Sequence, residues 1–366
     1  MPLCHSCGVT APRLRACLDD IPAYKAGQRA VAVEGLAPHK LSSNENPFPP
    51  LPSILRAAEE SLREMHRYPD FASTALVEAL AGRFDVPESD IAVAPGSVAL
   101  TQQLVQITCE PGDSVVFAWR SFESYPIVTM IGGATARKVP LDADDRHDLD
   151  AMLAAIDETT RLVFVCNPNN PTGTANNAEQ IERFLAAVPR DVLVVLDEAY
   201  REFTHETIPD GLQYYRRYEN VAVLRTFSKA YGLAGLRVGL CIAREPVAAA
   251  LRKVQIPFGV SSVAEAAGIA ALEVEDELRE RVAAILDERS RVDAGLRAAG
   301  FTPAQTEANF VWLRLGEATL DFSAACQAAG LSVRPFAGEG VRISIGAPEA
   351  NDRLLATAAA WLAARG

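Results

Sequence analysis

Three short stretches of the chain gather amines, acids, amides and hydroxyls among small residues, where backbone can approach a ligand closely. The first is Thr226-Phe227-Ser228-Lys229-Ala230-Tyr231-Gly232-Leu233-Ala234-Gly235-Leu236-Arg237-Val238-Gly239. The second is Asn167-Pro168-Asn169-Asn170-Pro171-Thr172-Gly173, and the third is Asp197-Glu198-Ala199-Tyr200. Each has an ordinary explanation in isolation: a solvated lysine, turn chemistry built on Asn, Pro and Gly, a loop carboxylate or helix cap. In one place they do more. A lysine condenses with an aldehyde, and an acid keeps a ring nitrogen protonated so that the ring accepts electrons.

The elements around these stretches bring them together. Leu162 to Cys166 precedes the second stretch, Val192 to Leu196 the third and Val221 to Leu224 the first. Such nearly continuous apolar runs predict strands covered on both faces, as in a parallel sheet. Ile91 to Ala94 and Val115 to Phe117 are further runs of this kind, and helical patterns at Leu100, Leu104 and Ile107 and over 178–188 fall between them. This is an α/β order with crossover helices. All three stretches then sit at the C-terminal ends of parallel strands, the edge of an open α/β sheet where ligands bind. A lysine, a carboxylate, a phenol and an asparagine meeting there are the groups that pyridoxal 5′-phosphate requires.

After about residue 262 the texture changes. Residues 264–299, rich in Ala, Glu, Arg and Leu, predict one or two long helices. Phe310 to Leu313 and Val341 to Ile345 predict short strands before a final Ala-rich helix. The expected organisation is an N-terminal arm (1–40) against the smaller unit and the substrate mouth, a large domain (41–263) and a small C-terminal α/β domain (264–366). A helix, not a flexible tether, is expected to cross between them.

Composition removes several function classes. The 366 residues carry 47 acidic and 35 basic side chains, a formal charge of −12, which disfavours sequence-blind nucleic-acid binding. Hydrophobic residues make up 49%, enough for a sizeable core without a disulfide or metal staple. No run of about 18 apolar residues predicts a membrane span. The seven cysteines, Cys4, Cys7, Cys17, Cys109, Cys166, Cys241 and Cys326, read as reduced, mostly buried thiols of a cytoplasmic protein. Cys4 and Cys7 have metal-ligand spacing, but one such pair cannot close a four-ligand site, so no metal is expected. The N-terminus lacks a signal-peptide pattern.

The order Asn-Asn-Pro-Thr-Gly, Asp-Glu-Ala-Tyr, Ser-Lys and Gly-Leu-Arg-Val-Gly resembles the fold-type-I pyridoxal-phosphate aminotransferases, and within them the histidinol-phosphate aminotransferase group. Leu41-Ser42-Ser43-Asn44-Glu45-Asn46-Pro47, Arg67-Tyr68-Pro69-Asp70 and Val341-Arg342-Ile343-Ser344-Ile345-Gly346 extend the resemblance from about Tyr24 to the C-terminus. The likeness is greatest to the actinobacterial branch described as aromatic (phenylalanine) aminotransferases. It implies the α/β fold of type I, with a large, mostly parallel sheet covered by helices and a smaller α/β domain. Residues 1–8 precede it and read as an upstream extension.

The resemblance implies roles position by position. Lys229 resembles the lysine that bonds the cofactor and shuttles a proton, and Asp197 the partner of its ring nitrogen. Asn170 and Tyr200 resemble the pair on the phenolic oxygen, and Phe122 the aromatic that stacks on the ring. Thr226, Ser228 and Arg237 resemble the phosphate cradle, with Gly96, Ser97 and Val98 at a helix N-terminus. Tyr68 resembles the tyrosine that reaches a neighbouring subunit's cofactor, implying a homodimer. Arg342 resembles the residue that holds the substrate carboxylate bidentately. Arg334 is its second contact, and Tyr24, Asn44 and Asn309 are candidates for the substrate mouth.

Histidinol-phosphate aminotransferases often carry Asp or Asn after Gly-Ser, where this chain has Val98-Ala99. An apolar pair offers a substrate phosphate no side-chain donor. The expectation is transamination of an aromatic 2-oxo acid such as phenylpyruvate, with glutamate as donor and histidinol phosphate as the alternative. A decarboxylase on the same scaffold would release carbon dioxide. A DNA-binding regulator would need a further module of roughly 60 to 70 residues, and only about 40 precede Leu41.

Overall fold

A computed structural model describes residues 12, 14–25, 27–29 and 32–365; Cys4, Cys7 and the extension over 1–8 lie outside the described residues. The chain begins with β1 (His39–Lys40), α1 (Pro52–Ser61), α2 (Thr74–Phe84), β2 (Ile91–Ala94) and α3 (Ser97–Thr108). It continues through β3 (Ser114–Trp119), α4 (Ser124–Gly132), β4 (Thr135–Pro140), α5 (Leu149–Ala154), β5 (Thr160–Cys166) and α6 (Ala178–Ala187). Then come β6 (Leu193–Asp197), α7 (Gly211–Arg217), β7 (Val221–Thr226), β8 (Gly239–Ile242), α8 (Glu245–Val254), α9 (Ser262–Glu273) and α10 (Glu275–Ala298). The chain ends with β9 (Phe310–Arg314), α11 (Thr319–Ala328), β10 (Leu331–Ser332), β11 (Arg334–Phe336), β12 (Gly340–Ser344) and α12 (Pro348–Ala363).

Seven strands form the large sheet in the order β2-β8-β7-β6-β5-β3-β4. Strands β3 to β7 are mutually parallel, and β8 runs antiparallel to both β2 and β7. All residues of β6 and β7 are buried, which explains why their sequences lack polar alternation. Helices cover both faces. Val115, Phe117, Leu162 and Phe164 pack into a cluster under α3 and α4, and Val116, Val163 and Val194 into another with α5 and α6. Each fully buried side chain of this size stabilises the fold by about 1.5–3 kcal/mol. Two strands of this sheet had no separate expectation from sequence: the short antiparallel β8, and β4, an edge strand in which only Val139 is buried.

The long helical region divides at Val274, where φ −115° and ψ 30° break the helix. Ala264, Ala267 and Ala271 of α9 share a cluster with α1, α2 and β8, as does Leu278 at the start of α10. From Val282 onward, α10 packs with β9, β12 and α12 instead. Strands β11, β12 and β9 make an antiparallel sheet, and β1 pairs in parallel with β10. The N-terminal segment touches both regions. Arg15 Nη1 donates to Ile131 O at 2.9 Å, and Gln28 O accepts from Ser42 Oγ and Ser332 Oγ at 2.9 and 2.7 Å. Among the described residues the cysteines are free, with Cys109, Cys166, Cys241 and Cys326 buried, and no helix is long and apolar enough to cross a membrane.

Because β8 is antiparallel to its neighbours on either side, β2 runs in the same sense as β7. The C-terminal ends of β2, β3, β5, β6 and β7 therefore open onto one edge, and the start of β8 lies there too, with Gly239 opposite Thr226. A Cβ on Gly239 would collide with the Ser97 amide nitrogen and sit 2.6 Å from the Gly96 carbonyl carbon. Gly239→Ala is therefore expected to push the β2–α3 turn off its seat, at a cost of about 1–3 kcal/mol. A lower urea midpoint would check this; an unchanged midpoint would refute it.

Candidate active site

The edge of the sheet forms one wall of a cavity of about 220 Å³. Ser97 and Val98 follow β2, Phe122 follows β3, Asn170 follows β5, Asp197 ends β6, and Thr226, Ser228 and Lys229 end or follow β7; all line it. The opposite wall comes from Tyr24, Asn44, Arg334, Phe336 and Arg342. Thus residues separated by up to about 300 positions in sequence meet because sheet topology delivers one set, β11 and β12 deliver Arg334, Phe336 and Arg342, and the segments before and after β1 deliver Tyr24 and Asn44.

Lys229 is the least compensated group. Its Nζ donates to Ser43 O at 3.2 Å and lies 5.9 Å from the centre of the Tyr200 ring, and no carboxylate pairs with it among the described residues. Burial, reinforced by the positive charge of Arg342, lowers its pKa to about 7. Asp197 is buried too, and burial raises its pKa. Two bonds oppose that effect: Tyr125 Oη donates to Oδ2 at 2.7 Å and the Ala199 amide to Oδ1 at 3.2 Å. Tyr125 is itself held by parallel stacking on Phe164, with centroids 4.5 Å apart.

Tyr200 Oη accepts from Asn44 Nδ2 at 2.9 Å, and burial raises the phenol's pKa well above its ordinary value. Asn44 sits in the left-handed region at φ 54°. Ser344 Oγ accepts from its amide at 2.8 Å, and Asn309 Nδ2 donates to its carbonyl at 3.2 Å. Asn309 therefore lies behind the cavity wall as a support for Asn44, not at the mouth.

Arg342 comes from β12. Its Nη1 donates to Asn170 Oδ1 at 2.6 Å and its Nη2 to Ser42 O at 2.7 Å, both neutral acceptors, and its Nε has no partner among the described residues. Such a buried guanidinium has capacity left for an anion.

A turn and an arginine meet at one end of the cavity. Gly96 caps α3 at φ 84°, leaving the first amides of a 12-residue helix free of intrahelical partners. A Cβ on Gly96 would collide with Arg237 Nη2. Arg237 stands at φ 61°, with Nη1 donating to Ala234 O at 3.0 Å and Ser228 Oγ at 3.3 Å. Thr226 Oγ1 completes the group, donating to Ser228 Oγ at 3.0 Å. Glycine's missing side chain, two hydroxyls, an arginine and a helix N-terminus suit a phosphate monoester. With Lys229 and Asp197 farther along the wall, the donor set fits pyridoxal phosphate.

Tyr68 lies away from this cavity, 82% exposed, with its ring 4.7 Å from that of Phe258.

A family description, aminotransferase class I and II, matches residues 38–358. The chain belongs to the class I and II aminotransferases. This aminotransferase is 60% identical over 347 residues to the aromatic amino acid aminotransferase of Streptomyces avermitilis, covering 94% of this chain and 96% of the relative. It is 56% identical over 348 residues to that of Thermobifida fusca, covering 95% and 96%. Among solved structures, the histidinol-phosphate aminotransferase of Sinorhizobium meliloti in complex with pyridoxal-5′-phosphate superposes with a TM-score of 0.87 at 28% identity, covering 98% of this chain and all of that one. The large sheet and its helices are those of fold type I.

Three residues at or behind this aminotransferase's cavity escaped sequence reasoning. Glu123 and Tyr125 follow Phe122 within three residues, but only the fold reveals that Tyr125 touches Asp197 and Glu123 touches Arg334. Phe336 had no motif at all. A polar residue at the start of a helix after a strand was the available signal, and it is a weak one.

The sign of the Lys229 shift gives a test. The neutral amine is the nucleophile, and burial lowers the pH at which it forms. Capture of an aldehyde by the apoenzyme, followed by absorbance, is expected to rise through pH about 7 and level off above it. Lys229→Ala is expected to abolish capture and turnover, and an acid limb near pH 10 would contradict the assignment.

Proposed function

We propose that the chain transfers an amino group from glutamate to an aromatic 2-oxo acid such as phenylpyruvate, using pyridoxal 5′-phosphate. The observation that carries this reading is a buried, lightly partnered Lys229 in one cavity with Asp197, Asn170, Tyr200 and the Gly96–Arg237 cradle. The cofactor, when bound, supplies an aldehyde for the amino group and a ring that withdraws electrons from the substrate's α-carbon. Thr226, Ser228, Arg237 and the amides of Ser97 and Val98 would hold its phosphate, and Phe122 would stack on the ring. Asp197 would keep the ring nitrogen protonated, and Asn170 and Tyr200 would bond the phenolic oxygen. Arg342 holds the substrate carboxylate. Lys229 Nζ, whose pKa burial lowers to about 7, would take up and release the substrate's α-proton.

Side-chain chemistry supports the aromatic substrate. Val98, Phe122, Phe336 and Tyr24 line the cavity, and Val98-Ala99 offers no donor to a substrate phosphate. The relatives named aromatic amino acid aminotransferase support the same choice. The histidinol-phosphate enzyme of S. meliloti supports the alternative, imidazole-acetol phosphate with glutamate. Steady-state kinetics with glutamate as donor is expected to give a higher kcat/KM for phenylpyruvate than for imidazole-acetol phosphate; a preference of several orders for the latter would overturn the choice.

The active unit in this reading is a homodimer. Met65, Tyr68, Phe71, Ile256 and Phe258 present large exposed apolar surface, and Tyr68 carries a hydroxyl suited to a partner's phosphate. The buried free thiols accord with a reducing cytoplasm. Tyr68→Phe is expected to leave the dimer intact in sedimentation and weaken cofactor retention. A wild-type chain that sediments as an active monomer would sink the assignment of Tyr68.

A further inference from the structure

In the antiparallel pairing of β11 and β12, Arg334 stands directly opposite Arg342. Directly opposed residues project from the same face of a sheet, and like charges so placed repel. Both guanidiniums line the cavity. Their surroundings differ. Arg342 is held by an amide oxygen and a backbone carbonyl, both neutral. Arg334 Nη2 donates to Glu123 Oε2 at 2.5 Å. Glu123 comes from the other wall, between β3 and α4, next to Phe122. The pair is mostly withdrawn from solvent, with side chains 9% and 25% exposed, so screening by water and salt is incomplete. The guanidinium of Arg334 also lies 5.2 Å from the centre of the Phe336 ring, which makes its surroundings partly apolar.

We propose that Glu123 is a specificity-determining residue, whose carboxylate at Arg334 opposes any substrate bearing an anionic group beyond the one held by Arg342. This rests on the reading of Arg342 as the carboxylate holder. A second carboxylate or a phosphate entering on the Arg334 side finds that guanidinium already paired and must displace Glu123 from it. An aromatic or aliphatic side chain meets a neutralised pair and the face of Phe336, and displaces nothing. Discrimination of this kind comes from penalising the wrong ligand rather than from a new contact with the right one. Glutamate as amino donor bears the same penalty, so its binding is weaker than the presence of two arginines alone implies.

The test uses the holoenzyme under single-turnover conditions, read by the change in cofactor absorbance. The amines are glutamate and histidinol phosphate, which carry a distal anion, and phenylalanine and methionine, which do not. In Glu123→Gln, the rates for the two anionic amines at subsaturating concentration are expected to rise relative to the neutral ones by about tenfold, the scale of one charge-assisted hydrogen bond made available at Arg334. Glu123→Ala should move the ratio the same way. In the Arg334→Gln background, the Glu123→Gln gain is expected to disappear. A purely structural role would lower all four rates together and leave the ratio fixed, which overturns the proposal. A gain that persists undiminished without Arg334 overturns it too. Failure of the wild-type enzyme on phenylalanine, with the ratio against methionine still shifting, would instead refute the aromatic reading and leave the role of Glu123 standing.

Discussion

The side chain of Lys229 is buried against Ser43 and the face of Tyr200, with Arg342 the nearest strong influence on its charge. A buried amine with no anion against it cannot cheaply keep its proton. Asp197, buried on the same side of the cavity, faces the mirror problem, since burial disfavours its ionised form. One cause, exclusion of water, thus draws both groups toward neutrality. It is produced by the large sheet, whose central strands are covered on both faces by helices. The site is therefore poised to acquire charge from its ligands instead of storing it in advance.

Much of this was legible in the chain. The runs 162–166, 192–196 and 221–224 lack polar alternation because they are covered on both faces, and the motifs follow them because ligands gather where such strands end. Strand boundaries moved by a residue or so: the sheet takes in Asp197 and Thr226, placing two proposed site residues at the last ladder positions. The antiparallel β8 starts at the last residue of a motif read for its chemistry. Four residues long and ending a glycine-rich loop, it has too few positions to display a pattern.

The less legible features are contacts between distant elements. Tyr125 and Asp197 are 72 positions apart, and Glu123 and Arg334 are 211 apart. No periodicity links them, because each pair is joined by the crossing of two separate elements. Asn309 illustrates the reverse. The resemblance made it a candidate for the substrate mouth, whereas the fold sets it one layer back, holding the carbonyl of Asn44. Residue type alone does not distinguish a wall from its buttress.

The contact between Arg342 and Asn170 has a consequence for the orientation of the amide. A carboxamide is a flat group with an accepting oxygen at one corner and a donating nitrogen at the other. The guanidinium of Arg342 takes the oxygen, at 2.6 Å. With no acceptor of its own, it cannot tolerate the flipped arrangement, so the NH₂ corner is committed elsewhere. Asn170 thereby acts as a keyed joint between the two halves of the cavity. The arginine contributed by β12 dictates which end of the amide the loop after β5 can offer to a bound molecule.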